Sequence, residues 1–244
     1  EFKTREDEID YLKSKGIVLP ISKKKPYSID TNIYGRAIEC GILENPWTEP
    51  PEDIYAMTVS PQKAPNTPTY MTIDFVKGLP TKINGKTYAP VALIKKLNEL
   101  GGKNGIGRVD MIENRLVGIK SRETYENPSG TILHTALQDL ECLVLDRDTM
   151  QHKRALSQKY AELTYNGLWF TPLKAELDAY FDKVHQKTTG TVRLKLIKGN
   201  CIVVGRKSPH SRYKEKLATY GKHDVFDQKQ SEGFVKLWGM PFQS

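Results

Sequence analysis

Apolar positions along this chain change their spacing several times, and each change marks an element. The segment TREDEIDYLKSKGI (4–17) sets Ile9 and Leu12 on a narrow stripe and closes on Gly16, which predicts a helix. IVLPI (17–21) predicts a short strand, and Ser22, three lysines and Pro26 mark the loop after it. Asn32 to Cys40 predicts a second helix, closed by Gly41. Residues 45–68 carry six of the fourteen prolines, so this stretch is expected to be an extended connection that wraps a neighbouring surface, with a short strand near Ile54 to Thr58.

Beyond residue 68 the signals sharpen. TYMTIDFVKG (69–78) alternates as a strand does, and Asn84-Gly85 closes a hairpin-like unit at PTKINGKTY. Pro90 opens a helix in which Val91, Ile94, Leu97 and Leu100 keep helical spacing up to a stop at Gly101-Gly102. A strand-turn-strand unit follows within 105–131. Helical spacing then returns at Ile132, Leu133, Ala136, Leu137, Leu140 and Leu143, and two further helices are expected at about Thr149–Leu163 and Leu173–Thr188, the latter with Leu177, Phe181 and Val184 inward. TVRLKLIKGNCIVVGR (191–206) predicts a hairpin about Lys198-Gly199-Asn200, and GFVKLWGMP ends the chain on a tryptophan-bearing segment. Strands that arrive as hairpins, with helices grouped between them, point to an α+β fold with a largely antiparallel sheet.

Composition narrows the classes. At 244 residues, 38% apolar and 27% charged, the chain is sized for one sizeable core. No apolar run reaches the roughly 18 residues of a membrane span, and the first residues are too acidic and polar for a signal peptide, so a cytoplasmic protein with no membrane partner is expected. Without an initial methionine and running directly into a helix, the sequence reads as starting inside a larger polypeptide. Cys40, Cys142 and Cys201 lack disulfide or zinc spacing and are expected to be reduced and buried or half-buried. His134, His152, His185, His210 and His223 show no metal or nucleophile-base pattern. A net charge of +8 is read as a solvated basic surface rather than a nucleic-acid footprint, and Trp169 and Trp238 as core or interface anchors.

The densest polar chemistry lies in GIGRVDMIENRLVGIKSRETYENPSGT (105–131), where Arg108, Asp110, Glu113, Asn114, Arg115, Lys120, Ser121, Arg122 and Tyr125 crowd a strand pair that does not need them to form. That density marks a candidate site. Glu113, placed at the turn, either faces a ligand ammonium or ureido group, or pairs with Arg108 or Arg115 as an ordinary ion pair. Ser28, before Ile29-Asp30, reads on its own as a helix N-cap or turn residue. Gly105-Ile106-Gly107 lacks the third glycine and following helix of a dinucleotide fingerprint.

GRVDMIENRLVGIKSR, with KPYSIDTNIYGRAIECGILENPW, KYAELTYNGLWFTPL, TVRLKLIKGNCIVVGRKSP and FDQKQSEGFVKLWGMP, resembles the argininosuccinate synthases in the same order over almost the whole chain. The resemblance implies that Ser28, Glu113 and Tyr125 contact citrulline. It implies that ATP with Mg2+ and the other substrate, aspartate, are bound mainly by an N-terminal nucleotide domain, whose phosphate-cradling loop is not found in this sequence. In that family the ureido oxygen of citrulline attacks the α-phosphate, pyrophosphate leaves, and the aspartate amine displaces AMP to give argininosuccinate. The implied organisation is 1–21 as the end of the nucleotide-domain region or a connector, 22–225 as the synthetase domain, and 226–244 as an oligomerisation tail of a homotetramer. One departure stands out: Ala37 occupies the position of a second citrulline-contacting serine and has no side-chain donor or acceptor. The alternative reading is a non-enzymatic scaffold or regulatory homologue that keeps only the assembly surface.

Overall fold

In the computed structural model, residues 2–17 and 27–243 are described. An N-terminal helix, α1 (Arg5–Ser14), is closed by a reciprocal capping box in which the Thr4 side chain accepts from the Asp7 N–H and the Asp7 carboxylate accepts from the Thr4 N–H. The strand expected at 17–21 lies, apart from Ile17, outside the described residues.

A first antiparallel sheet has the order β1 (Ser28–Thr31), β2 (Arg36–Glu39), β7 (Lys120–Glu126), β6 (Arg108–Asn114). The segment Asn32 to Cys40, expected to be helical, is instead a turn followed by β2. The Asn32 side chain accepts from the Tyr34 and Gly35 N–H groups and its own N–H donates to the Gly35 carbonyl, which folds the chain back on itself. Cross-strand pairing on both edges of β2 then overrides local helical spacing, and Ile38 turns inward to full burial.

The second sheet, also antiparallel, has the order β5 (Lys86–Thr87), β4 (Leu79–Ile83), β3 (Thr69–Val76), β8 (Gly190–Ile197), β9 (Asn200–Lys207). Its turns are where the sequence placed them: Asn84-Gly85 and Lys198-Gly199 both take positive φ at two successive residues, the backbone that two-residue hairpins require. Two helices, α2 (Pro90–Lys103) and α3 (Pro128–Val144), cover one face of this sheet. Met71, Ile73, Phe75, Val192, Leu194 and Leu196 meet Leu93, Ile94, Leu97, Ile132, Ala136 and Leu140 there.

Among the described residues, fifteen buried apolar side chains make up this core, against three (Ile38, Leu43, Ile54) beneath the first sheet. At roughly 1.5–3 kcal/mol per fully buried large aliphatic or aromatic side chain, the second sheet and its helices hold most of the apolar stabilisation. The first sheet leans on polar ties. Helix α2 runs through Gly101-Gly102, expected as its stop, to Lys103; a Cβ on Gly102 would collide with the Met57 carbonyl and one on Gly101 would lie 2.8 Å from Pro128 Cβ. These glycines serve close approach, not termination. Helices α4 (Arg147–Tyr165) and α5 (Pro172–His185) form a pair, and α6 (Glu215–Ala218) and α7 (Gln230–Gly239) end the described chain, giving seven α-helices among the described residues.

The proline-rich 45–68 segment forms no strand at Ile54 to Thr58. A single 3-10 turn at Glu52–Ile54 is followed by a bend at Ala56 and Met57, and the N–H groups of Ala56, Met57 and Thr58 point at one carboxylate, that of Glu126. Trp169 and Trp238 are not core residues: they are 52% and 71% exposed, the first over the Lys174 ammonium and the second stacked on Phe234. None of the three cysteines is in a disulfide; Cys40 and Cys201 are half-buried, whereas Cys142 is exposed rather than covered.

Candidate functional site

Directly opposed residues of an antiparallel ladder put their side chains on one face, and each strand alternates between faces. The register of the first sheet pairs Ser28 with Glu39, Ala37 with Tyr125, Val109 with Tyr125, Met111 with Glu123, and Glu113 with Ser121. Ser28, Ala37, Glu39, Glu113, Ser121, Glu123 and Tyr125 therefore share a face. The three site residues expected from sequence, Ser28, Glu113 and Tyr125, are gathered onto one surface by three different strands.

The opposite face explains the rest of the charge density. Arg108 makes a bidentate pair with Glu52, donates to Thr58 and lies 3.8 Å over the Tyr55 ring. Arg122 pairs with Asp110 at 2.7 Å and donates to the carbonyls of Leu43, Asn45 and Thr48. Glu126, fully buried, pairs with Arg36 and accepts from the N–H groups of Ala56, Met57 and Thr58 and from the Thr58 hydroxyl, all at 2.8–2.9 Å. These groups fasten the 43–58 strap to the sheet. Arg108, Asp110 and Arg122, three of the nine polar residues that mark a site in the sequence, belong to a polar clasp.

On the site face, Glu113 is one residue inside the end of β6 rather than in the turn itself, and is half-buried. Neither arginine proposed as its ion-pair partner reaches it, since Arg108 goes to the clasp and Arg115 to Glu39 at 3.1 Å. Two phenols hold it instead. Tyr125 donates to Glu113 Oε2 at 2.6 Å, and Tyr165, the last residue of α4, donates to Oε1 at 2.8 Å. Burial and the bond to Glu113 push the Tyr125 phenol well above its ordinary range, and the Glu113 bond raises that of Tyr165, so both keep their protons at neutral pH. Each phenol oxygen is left as an acceptor, and each carboxylate oxygen retains a further lone pair. The arrangement is a fixed anion with neutral supports, suited to an ammonium or to amide-like N–H groups.

Glu123, on the same face between Glu39 and Glu113, is pushed up to about 7 by burial, by the Glu39 carboxyl beside it and by the charge of Glu113. Glu39, Glu123 and Tyr165 went unrecognised in the sequence. Glu123 was within reach, because it lies two residues before Tyr125 on one strand and so shares its face. Tyr165 had no such signal, being forty residues further along and brought in by a helix.

An apolar cavity of about 670 Å³ between α2, α3 and the β3–β4 turn, walled by Tyr34, Phe75, Leu79, Tyr88 and Leu133, has no carboxylate in its lining and does not meet the Glu113 face. Among the described residues no helix N-terminus follows a glycine-rich turn, and no group of three His, Cys, Asp or Glu side chains is placed to hold a metal ion. Nor is any helix among them long and apolar enough to cross a membrane.

Fold and site together define an antiparallel α+β domain with an acidic, tyrosine-lined sheet face. Residues 27–244 match the family model described as the arginosuccinate synthase C-terminal domain, and the chain belongs to that family. It is 55% identical over 240 residues to an argininosuccinate synthase of Caldanaerobacter subterraneus subsp. tengcongensis, covering 98% of this chain and 58% of that protein. It is 54% identical over 243 residues to that of Carboxydothermus hydrogenoformans, covering 100% of this chain and 61% of the relative. The chain therefore spans about three fifths of the length of these curated relatives.

Proposed function

We propose that this chain supplies the citrulline-binding wall of an argininosuccinate synthase, which joins citrulline to aspartate at the expense of ATP and releases AMP and pyrophosphate. The observation that carries the reading is the Glu113 carboxylate, held at both oxygens by phenols on the sheet face that also bears Ser28. In this reading Glu113 receives N–H donors of the amino acid, the Tyr125 oxygen accepts another, and the Ser28 hydroxyl contacts the ligand from β1. Aspartate, ATP and Mg2+ are assigned to the portion that the relatives have and this chain does not span. No step through the nucleotide is assigned to residues of this chain.

Glu113→Gln, made in a protein that carries this chain together with that further portion, is expected to raise the citrulline KM about 10- to 100-fold, the loss of a charge-assisted contact, with little change in the KM for ATP. An unchanged citrulline KM would remove Glu113 from the site. The second reading, a scaffold that retains only the assembly surface, is favoured by Ala37, which stands beside Tyr125 in the register and removes a hydroxyl from this face. It requires that assembly survive Glu113→Gln with no activity present to lose.

A further inference from the structure

The Glu113 carboxylate is reached by two supports of different origin. Tyr125 belongs to the strand beside it, so its place is set by the sheet. Tyr165 comes from the end of α4, whose position is set by α5: Tyr160 donates to Asp178 at 2.8 Å, Lys174 pairs with the same carboxylate at 2.8 Å, and the Tyr160 ring meets Phe181 edge-on at 5.1 Å. The 2.8 Å bond from Tyr165 to Oε1 is thus a joint between the helix pair and the sheet face.

Glu113 needs such a joint. Its side chain has three rotatable bonds, its neighbours on the face include the Glu39 and Glu123 carboxyls, and Arg115, two residues further along and 3.1 Å from Glu39, offers a competing partner. One phenol fixes one oxygen and leaves the other free to swing toward that guanidinium. Two phenols fix the plane of the carboxylate. Because both donors are neutral, they orient the anion without cancelling its charge, whereas an arginine in either place would spend that charge on itself.

We propose that Tyr165 is a positioning residue for the substrate site: through its bond to Glu113 Oε1 it aims the carboxylate at the amino-acid substrate, and so couples the α4–α5 pair to substrate affinity. This rests on the reading of Glu113 as a citrulline contact. The test uses steady-state kinetics and citrulline binding by calorimetry in a protein that carries this chain with the portion it does not span, for wild type, Tyr165→Phe, Glu113→Gln and the double variant. Tyr165→Phe keeps the ring and removes only the hydroxyl, and its melting temperature is expected within about 2 °C of wild type. Its citrulline KM is expected to rise roughly tenfold with kcat changed by less than about twofold. In the Glu113→Gln background the same substitution is expected to add nothing, since the group it orients has lost its charge.

A silent Tyr165→Phe beside a strongly impaired Glu113→Gln would overturn the positioning role and leave the site intact. Independent, multiplying effects of the two substitutions would overturn it as well. A silent Glu113→Gln would overturn the underlying site, and the role of Tyr165 with it.

Discussion

Glu123 is the residue at which local chemistry departs furthest from the ordinary. Its carboxyl rises to about 7 because burial and the neighbouring Glu39 and Glu113 carboxyls disfavour its charge. A group raised from its usual value of 4.5 holds its proton more tightly in the folded chain than in the unfolded one. Its stabilising contribution is therefore complete below about pH 4.5 and is lost as pH rises through about 7. Glu123→Gln, which cannot ionise, is expected to remove this slope, so that the variant gains melting temperature relative to wild type at about pH 8.5 compared with about pH 5.5. An equal difference between the two proteins at both pH values would contradict the assignment. The same residue shows how far one strand can be read: the period of two places Ser121, Glu123 and Tyr125 together, but only the register of β6 and β2 brings in Glu113 and Glu39.

At the scale of elements, the clasp around Glu126 decides how the proline-rich strap is held. Four hydrogen bonds from Ala56, Met57 and Thr58 and the pair with Arg36 converge on one fully buried carboxylate. Glu126→Ala strands the Arg36 guanidinium, 13% exposed, and leaves the strap N–H groups without their acceptor. The expected cost is about 3–5 kcal/mol in denaturant unfolding, the usual consequence of removing one partner of a buried ion pair. A loss below about 1 kcal/mol would mean that the strap is held by Arg108, Arg122 and the burial of Leu43 and Ile54 rather than by Glu126. Elements with local signals were legible in the sequence: the hairpins at Asn84-Gly85 and Lys198-Gly199, the helix opened by Pro90, and the helix from about Leu173 with Leu177 inward. Those set by distant partners were not. β2 becomes a strand because β1 and β7 flank it, and Ile54 to Thr58 stays out of a ladder because Glu126 takes its N–H groups. Charge density in 105–131 marked the strand pair that carries these polar groups, but could not divide it into a clasp face and the face of the candidate site.

For the molecule as a whole, the C-terminal end is dense in exposed apolar side chains: Phe234, Val235, Leu237, Trp238, Met240 and Phe242 are each more than half exposed. This supports the expectation that the tail from 226 onward serves assembly, with a homotetramer as the proposed state. Removing residues 226–244 is expected to reduce the assembly measured by size-exclusion chromatography with light scattering, while the melting temperature of the core changes little, because none of these residues belongs to either apolar cluster. An assembly that keeps its size after truncation would move the interface elsewhere. The proposed role of this chain is to contribute the citrulline wall of a ligase whose nucleotide chemistry lies in the portion it does not span. Its most direct test is citrulline-dependent pyrophosphate release from the chain, alone and mixed with the N-terminal portion of a relative such as the Carboxydothermus hydrogenoformans protein. Release only in the mixture, and its loss with Glu113→Gln, is the predicted result; two portions that associate yet release no pyrophosphate would contradict it.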